Sequence, residues 1–151
     1  MIIMKKSARK IILALCIAGC LGFIWTNSVM PGSISSEFSV YAGKILKMIF
    51  GESLVVSESV IRKLAHFCEF GVLGLILSLF FYERLAERLP LVGFFGLGAA
   101  VLDETIQLFS DGRSSQIKDV WIDFSGFTAG TLFIFILYSL DKEVKGKHGQ
   151  L

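Results

Sequence analysis

Four runs of apolar residues, each close to the length that crosses a bilayer, dominate this sequence. They cover residues 11–26, 64–82, 89–110 and 120–140. A hydrocarbon core of about 30 Å is crossed by roughly 20 helical residues, and in lipid every backbone amide must find a partner inside a helix or a closed barrel. The sequence therefore predicts an all-α polytopic membrane bundle of four transmembrane helices.

The composition agrees with this prediction. Of the 151 residues, 54% are hydrophobic and 19% are charged, and the mean hydropathy is +0.68. A soluble domain has about a quarter of its residues charged. The four runs use most of the chain, so we expect a single domain over residues 1–151. The net charge of +2 is too small to indicate a nucleic-acid-binding protein. We expect the three cysteines, Cys16, Cys20 and Cys68, to be small packing residues and not a disulfide framework or zinc site.

The first run has two interpretations, a signal peptide or a retained helix. It follows a basic segment, and residues 17–20 resemble a lipoprotein processing site that ends at Cys20. The apolar run continues past this cysteine to Trp25, where a processed lipoprotein usually turns polar. We therefore predict a retained transmembrane helix. The third run is expected to begin with Pro90 in its first turn, where a missing N–H is tolerated.

The distribution of basic residues predicts the orientation. Four spans put both termini on one side, and that side carries nine of the 15 Lys and Arg on a shorter total loop length. Because cytoplasmic loops are enriched in Lys and Arg, we expect both termini in the cytoplasm of a bacterial cytoplasmic-membrane protein. Residues 33–50 of the long outer loop predict an amphipathic helix with Phe38, Tyr41, Ile45, Met48 and Ile49 on one face. This helix either lies in the outer interface or caps the bundle.

Polar side chains in three of the apolar runs lie near one face of the membrane. They are His66 and Glu69 in the second run, Asp103, Glu104 and Gln107 in the third, and Asp119 and Asp123 at the start of the fourth. A charge at the centre of a bilayer costs about 3 kcal/mol or more, so such residues usually face protein or a water-filled cavity. In the last run, the two aspartates share a helical stripe with Gly126 and Gly130, a GxxxG pair that permits close helix approach. We predict a polar pocket open to the outer leaflet.

This constellation permits several chemistries. Lys63 and Arg113 predict a site for an anionic group, with Glu69, Gln107, Asp119 and Asp123 as further ligand-binding residues. His66 with Asp103 and Glu104 forms a candidate acid–base set, although no serine or cysteine stands out as a nucleophile. We assign no metal ligands or cofactor. His66-x-x-Glu69 with carboxylates of the third and fourth runs could hold a divalent metal, but no zinc-binding spacing such as C-x-x-C or H-E-x-x-H is present. A purely structural set of interhelical ion pairs is the remaining alternative.

Three segments resemble the motifs of the VanZ-like membrane proteins. They are RKLAHFCEF at 62–70, DETIQLF at 103–109 followed by Arg113, and KDVWIDFSG at 118–126 followed by Gly130. The family patterns are R-K-x-A-H-F-x-E-[FY], D-E-x-x-Q-x-F…R and D-[VI]-x-x-[DN]-x-x-G…G. Ser28, Pro31-Gly32 and Ser35-Ser36 also fit the family's first outer loop, so the similarity covers most of the chain.

The resemblance implies a small multipass bacterial protein related to one that confers low-level resistance to the glycopeptide teicoplanin. Many relatives occur without a resistance cluster, so resistance does not follow for this chain. We expect it to bind, and to be able to modify, a membrane lipid or lipid-linked cell-wall precursor. A membrane-embedded hydrolase or transferase using His66, metal-assisted in one form, is the first alternative. A structural scaffold is the second.

Overall fold

The computed structural model describes residues 6–51 and 56–148, and these residues form five α-helices and one short 3₁₀ helix. The elements are α1 (Lys6–Val29), α2 (Gly32–Phe50), α3 (Glu58–Phe80), the 3₁₀ helix Tyr82–Arg84, α4 (Leu85–Gln107) and α5 (Ile117–His148). Within these ranges, four helices are long and apolar enough to cross a membrane, and each overlaps one of the four predicted spans. The second of these helices ends at Phe80 and the third at Gln107, two and three residues before the predicted ends. The all-α, four-span fold class is confirmed. Lys5, which contributed to the basic N-terminus, lies outside the described residues.

Helices α3 and α5 make the most extensive contact in the described part of the bundle. Glycines line it on both sides, because a Cβ atom at Gly126 would collide with the Phe67 carbonyl and one at Gly130 with the Gly71 carbonyl. From the opposite helix, a Cβ atom at Gly74 would collide with the Phe127 carbonyl. The GxxxG interpretation is therefore correct. The two backbones touch, and this contact sets how close the polar side chains above it can come.

The bundle buries a small apolar centre and exposes much of its remaining apolar surface. Phe70 and Phe127 are almost completely buried, whereas Phe94 and Phe133 are exposed. Exposed apolar side chains on helices of spanning length are the surface that lipid tails solvate.

Helix α4 begins earlier than the sequence predicts. It starts at Leu85, so Pro90 is its sixth residue and lies inside the helix, beyond the first turn. The missing N–H leaves the Ala86 carbonyl without its helical partner. Leu85 is completely buried, and burying it stabilises the additional turn despite the proline. The helix also ends at Gln107, because residues 108–116 form the connection to α5.

The apolar face of α2 points away from the other helices. Phe38, Tyr41, Ile45, Met48 and Ile49 are all exposed. The opposite side of α2 packs on the bundle, where Ser39 is buried and Gly43 lies against the Ile61 side chain. A cap would bury its apolar face against the protein. The structure therefore favours the interfacial interpretation of this helix.

Candidate functional site

The polar residues of the membrane-spanning helices meet at one end of the bundle, which we call the polar end. Here α1 and α4 finish and α3 and α5 begin. Four of the side chains are almost completely inaccessible: Asp103 is 0% exposed, Asp123 1%, Glu104 4% and Gln107 6%. Polar groups at such burial need partners inside the protein, because an unpaired one forfeits its hydration.

Asp103 is held by hydrogen bonds from two helices. The Ser28 hydroxyl donates to its Oδ1 at 2.5 Å, and the Gln107 amide donates to its Oδ2 at 3.0 Å. The Gln107 contact joins residues one helical turn apart on α4, whereas Ser28 comes from the last turn of α1. Asp103 therefore ties α1 to α4 as well as carrying charge into the site.

His66 lies between two buried carboxylates. Its Nδ1 is 3.7 Å from Oδ2 of Asp103 and 3.8 Å from Oδ1 of Asp123. Both distances are longer than a hydrogen bond, which ends at about 3.2 Å for nitrogen and oxygen. Among the described residues, Nδ1 of His66 and Oδ2 of Asp123 are buried with no hydrogen-bond partner. This gap at the centre of the polar end is not filled by the protein's own side chains.

The remaining carboxylates each have a partner. Glu69 accepts a hydrogen bond from the Asn27 amide at 3.0 Å, and Glu104 accepts one from the backbone N–H of Gln116 at 3.1 Å. Asp119 forms an ion pair with Lys63, with 3.3 Å between Nζ and Oδ1. Asp119 also lies in the first turn of α5, where the helix dipole favours a negative charge.

Arg113 ties the α4–α5 connection to the end of α1. Its Nε donates to the Met30 carbonyl at 3.1 Å, and its Nη2 donates to the Asn27 carbonyl at 2.7 Å. These carbonyls end a helix, where a cation is favoured. Burial, followed by the nearby Arg62 charge, lowers the pKa of the Arg113 guanidinium. Part of Arg113 is thus used for structure, which leaves less of it for the anion that the sequence assigns to it.

Further contacts hold the connection rigidly at this end. The Ser110 hydroxyl donates to the Ser28 carbonyl at 2.7 Å, and the Gly32 N–H donates to the Asp111 carbonyl at 2.9 Å. A Cβ atom at Gly32 would collide with the Gly112 carbonyl, and Gly112 itself has a φ of 71°. Only glycine fits this pair of positions without strain.

Two depressions adjoin at the polar end. The first, which we call the polar cleft, lies between α3, the α4–α5 connection and α5. Its lining comprises Ser59, Arg62, Lys63, His66, Glu104, Gln107, Gly112, Arg113, Ser114, Gln116, Asp119, Ile122 and Asp123. The second, the apolar groove, lies between α1, α2 and α3. Its lining comprises Phe23, Asn27, Met30, Ser35, Phe38, Ser39, Ala42, Ile61, Arg62, Ala65, His66, Glu69 and Arg113. Arg62, His66 and Arg113 belong to both.

The structure brings all nine sequence-predicted site residues to the polar end but divides them. Seven line the polar cleft: Lys63, His66, Glu104, Gln107, Arg113, Asp119 and Asp123. Glu69 faces the apolar groove, and Asp103 lines neither depression because it is completely buried behind His66. Asp103 therefore lies next to His66 but forms no part of the surface of the cleft. The functional roles of all nine residues stay predictions.

Sequence reasoning missed three contributors to this network. Asn27 and Ser28 from α1 hold Glu69 and Asp103, and the backbone of Gln116 holds Glu104. A signal for the first two was present, since Thr26-Asn27-Ser28 is a polar triplet at the end of an apolar run on the predicted outer side. No sequence pattern marks Gln116, because it contributes only its backbone.

Comparisons with known proteins agree with the three motifs. The family model described as VanZ/LLP1 matches residues 8–138, well over half of the chain. The match covers the four helices of spanning length from Ala8 to Tyr138 and every residue of the polar cleft. No curated protein and no solved structure matches the chain. The chain belongs to the VanZ/LLP1 family.

Proposed function

We propose that this protein binds the anionic headgroup of a membrane lipid or lipid-linked cell-envelope precursor at the polar end. The observation that carries the proposal is the junction of the polar cleft and the apolar groove at Arg62, His66 and Arg113. An amphiphile needs adjacent surfaces of these two kinds, one for a charged headgroup and one for the start of a hydrocarbon chain.

The charges at this junction favour an anion. No carboxylate of the described residues lies within ion-pair distance of Arg62, whereas Lys63 is paired with Asp119 and Arg113 binds backbone carbonyls. Arg62 thus presents an uncompensated guanidinium between the cleft and the groove. Guanidinium groups bind phosphate through parallel hydrogen bonds, which makes a lipid phosphate the matching group.

The groove supplies the apolar half of the site. Phe23 of α1 and Phe38 of α2 are both exposed along it, and Met30, Ile61 and Ala65 continue its lining. The apolar face of α2, adjacent to the groove, is exposed as well. Acyl or isoprenoid chains would contact these side chains on leaving the headgroup.

The experiment uses the full chain in nanodiscs of phosphatidylcholine that contain either phosphatidylglycerol or undecaprenyl phosphate. Native mass spectrometry measures retained lipid for the wild type, for Arg62→Gln and for Arg88→Gln, which removes an exposed charge at the other end. Loss of a charged hydrogen bond worth about 1.5 kcal/mol or more lowers affinity by about tenfold or more, so the first variant releases anionic lipid and the control does not. Equal retention by wild type and Arg62→Gln, or equal binding of phosphatidylcholine, would reject the proposal.

The orientation is part of the proposal, since it places the site in the outer leaflet. Ser114 is exposed at the polar end and Glu87 is exposed at the opposite end. In a chain whose three native cysteines are changed to serine, an impermeant maleimide added to intact bacteria should label Ser114→Cys and not Glu87→Cys. The reverse pattern would put both termini outside and move the site to the cytoplasmic leaflet.

The most specific version of this proposal is that the protein has a role in teicoplanin resistance. It predicts that expression of the chain raises the minimum inhibitory concentration of teicoplanin for a susceptible host. Arg62→Gln should remove the increase at equal expression, and Arg88→Gln should preserve it. An unchanged inhibitory concentration separates lipid binding from resistance.

A second candidate, a membrane hydrolase or transferase, is supported by the position of His66 between Asp103 and Asp123. An imidazole that faces the cleft and is flanked by carboxylates has the arrangement of a general acid–base group. Incubation of purified protein with a total lipid extract, followed by lipid mass spectrometry, tests it against His66→Gln. A product that requires His66 supports an enzyme, and an unchanged lipid profile rejects one for the lipids supplied.

A further inference from the structure

The three side chains at the centre of the polar end have the composition of a metal-binding set. One ligand atom from each of His66, Asp103 and Asp123 lies within 4.8 Å of the other two. They come from α3, α4 and α5, so the site exists only where these three helices meet. We propose that they bind one divalent first-row transition cation, Zn²⁺ or Mn²⁺. This inference goes beyond lipid binding and does not depend on it.

The unpartnered atoms supply an independent observation. Asp123 is 1% exposed, yet its Oδ2 has no hydrogen-bond donor among the described residues, and Nδ1 of His66 is likewise buried without a partner. Buried carboxylates in proteins are normally paired, hydrogen-bonded or coordinated to a metal. A cation bound by the imidazole and by the Asp123 carboxylate, whose Oδ1 is 3.8 Å from Nδ1, would give both groups a partner.

Charge points the same way. Asp103 and Asp123 face one another across His66, and no Lys or Arg of the described residues is within ion-pair distance of either carboxylate. Two of the basic side chains nearby are committed elsewhere, Lys63 by its pair with Asp119 and Arg113 by its hydrogen bonds to carbonyls. Arg62 lies within the ion-pair limit of neither carboxylate. Coordination requires a neutral imidazole and ionised carboxylates, and in that state the set carries two negative charges, which one dication neutralises.

The distances fit a shared ion better than direct contacts. Ligands that each lie about 2.0–2.2 Å from a tetrahedral zinc are about 3.4 Å from one another. The 3.7 and 3.8 Å separations from His66 need to shrink by only a few tenths of an ångström to reach this value. The two carboxylates lie within 4.8 Å of one another and would be drawn together by the same ion. The same separations are too long for hydrogen bonds.

The surroundings would orient the ligands. Ser28 and Gln107 donate hydrogen bonds to the two oxygens of Asp103, which fixes the carboxylate plane. His66 and Asp123 also line the polar cleft, so the open coordination position of the cation would face it. The imidazole ligand favours Zn²⁺ over Mg²⁺ and Ca²⁺, which prefer oxygen alone, and the two carboxylates also suit Mn²⁺. Glu69 and Glu104, which the sequence grouped with these ligands, are held by Asn27 and Gln116 instead.

The experiment measures metal on the full chain in detergent with no lipid ligand added. Chelator-treated protein is titrated with ZnCl₂, MnCl₂ and MgCl₂ by calorimetry, and metal content after desalting is read by inductively coupled plasma mass spectrometry. We expect one Zn²⁺ or Mn²⁺ per chain with micromolar or tighter affinity. Asp123→Asn should lower the affinity at least tenfold, and Asp111→Asn, an exposed carboxylate at the same end, should leave it unchanged.

A thermal melt with and without metal guards against misfolding of the variant. Zinc or manganese should raise the unfolding midpoint of the wild type and of Asp111→Asn but not of Asp123→Asn, because a ligand stabilises the state that binds it. The proposal is overturned by substoichiometric metal on the wild type, or by equal metal affinity in a folded Asp123→Asn. Either result leaves lipid binding unaffected, since no lipid enters the measurement.

Discussion

The two ends of this helical bundle treat charge differently. At the polar end, Asp103 and Asp123 are 0% and 1% exposed, and Asp103 accepts a hydrogen bond from Ser28 of another helix. At the opposite end, the Lys6–Glu83 pair spans 3.0 Å between side chains that are 87% and 48% exposed. An exposed ion pair replaces contacts with water by a contact between the two side chains, and the protein gains little stability from it. A buried charged group needs partners inside the protein, so it restricts how the helices can pack. The comparison teaches that burial, more than the number of charges, separates a constructed polar site from an ordinary charged rim.

The largest expected effect comes from separating the helices that form the polar end. Gly126→Leu would place a side chain where even a Cβ atom collides with the Phe67 carbonyl, one residue after His66. Because two backbones cannot yield as a flexible side chain does, we expect a destabilisation of about 3 kcal/mol or more and loss of monodisperse protein. Gly98→Leu, at a position where a Cβ atom meets nothing within 4 Å, is the matched control. Size-exclusion chromatography measures monodispersity, and thermal melts measure stability. A Gly126→Leu protein that is as monodisperse and stable as the wild type would contradict the close contact of α3 and α5.

A smaller loss should follow from deleting the buried Asp103 carboxylate. Asp103→Ala leaves the Ser28 hydroxyl and the Gln107 amide without their acceptor and opens a cavity between α1 and α4. We expect a loss of about 2–4 kcal/mol in the free energy of unfolding. Ser28→Ala, which removes one donor, should cost about 1 kcal/mol. Reversible unfolding in mixed detergent measures both, and equal stability of wild type and Asp103→Ala would show that the network does not hold these helices.

The isosteric change at the same position separates a site from structural glue. Asp103→Asn keeps an acceptor for Ser28 and the volume of the side chain, so its unfolding midpoint should move by less than about 4 °C, equivalent to about 1 kcal/mol. Its affinity for the proposed cation should still fall at least tenfold, because a neutral amide replaces an anionic ligand. A variant that is folded but deficient supports a site. Full retention of every binding property would support the scaffold alternative.

The smallest effect is expected at the opposite end. Glu83→Ala removes an exposed partner of Lys6, and screening by water leaves such pairs with little influence on stability. The unfolding midpoint and the binding of lipid and cation should match those of the wild type. A clear loss on Glu83→Ala would erase the distinction between the two ends.

Much of the architecture was predictable because lipid imposes few solutions on an apolar chain. Hydropathy located the four spans, and the GxxxG spacing located the face of α5 that another helix approaches closely. The structure shows that this other helix is α3. The boundaries of α4 were predicted less well, since the burial of Leu85 outweighed the local preference of Pro90 for a first turn. Sequence patterns near a helix end mispredict the boundary where a tertiary contact stabilises an extra turn.

The candidate site was predictable as a layer but not as a network. Depth along the helices brought His66, Glu104 and Asp123 to one end, because helical rise fixes height from residue number alone. The sequence did not predict which group each charged side chain binds. Arg113 binds the end of α1, and Arg62 has no ion pair with any described residue. Asp103 lies too deep to form part of the cleft surface.

The sequence by itself determined that this chain forms apolar helices, that a polar layer interrupts them at one end, and that the chain resembles the VanZ-like proteins. These properties depend on composition and on spacing along single helices, which the sequence contains in full. Only the tertiary structure decided that His66 lies between Asp103 and Asp123, and that Asn27 and Ser28 of α1 complete the layer. Such pairings depend on the rotation and closeness of helices far apart in sequence. The glycine contacts of α3 and α5 set that closeness in three dimensions.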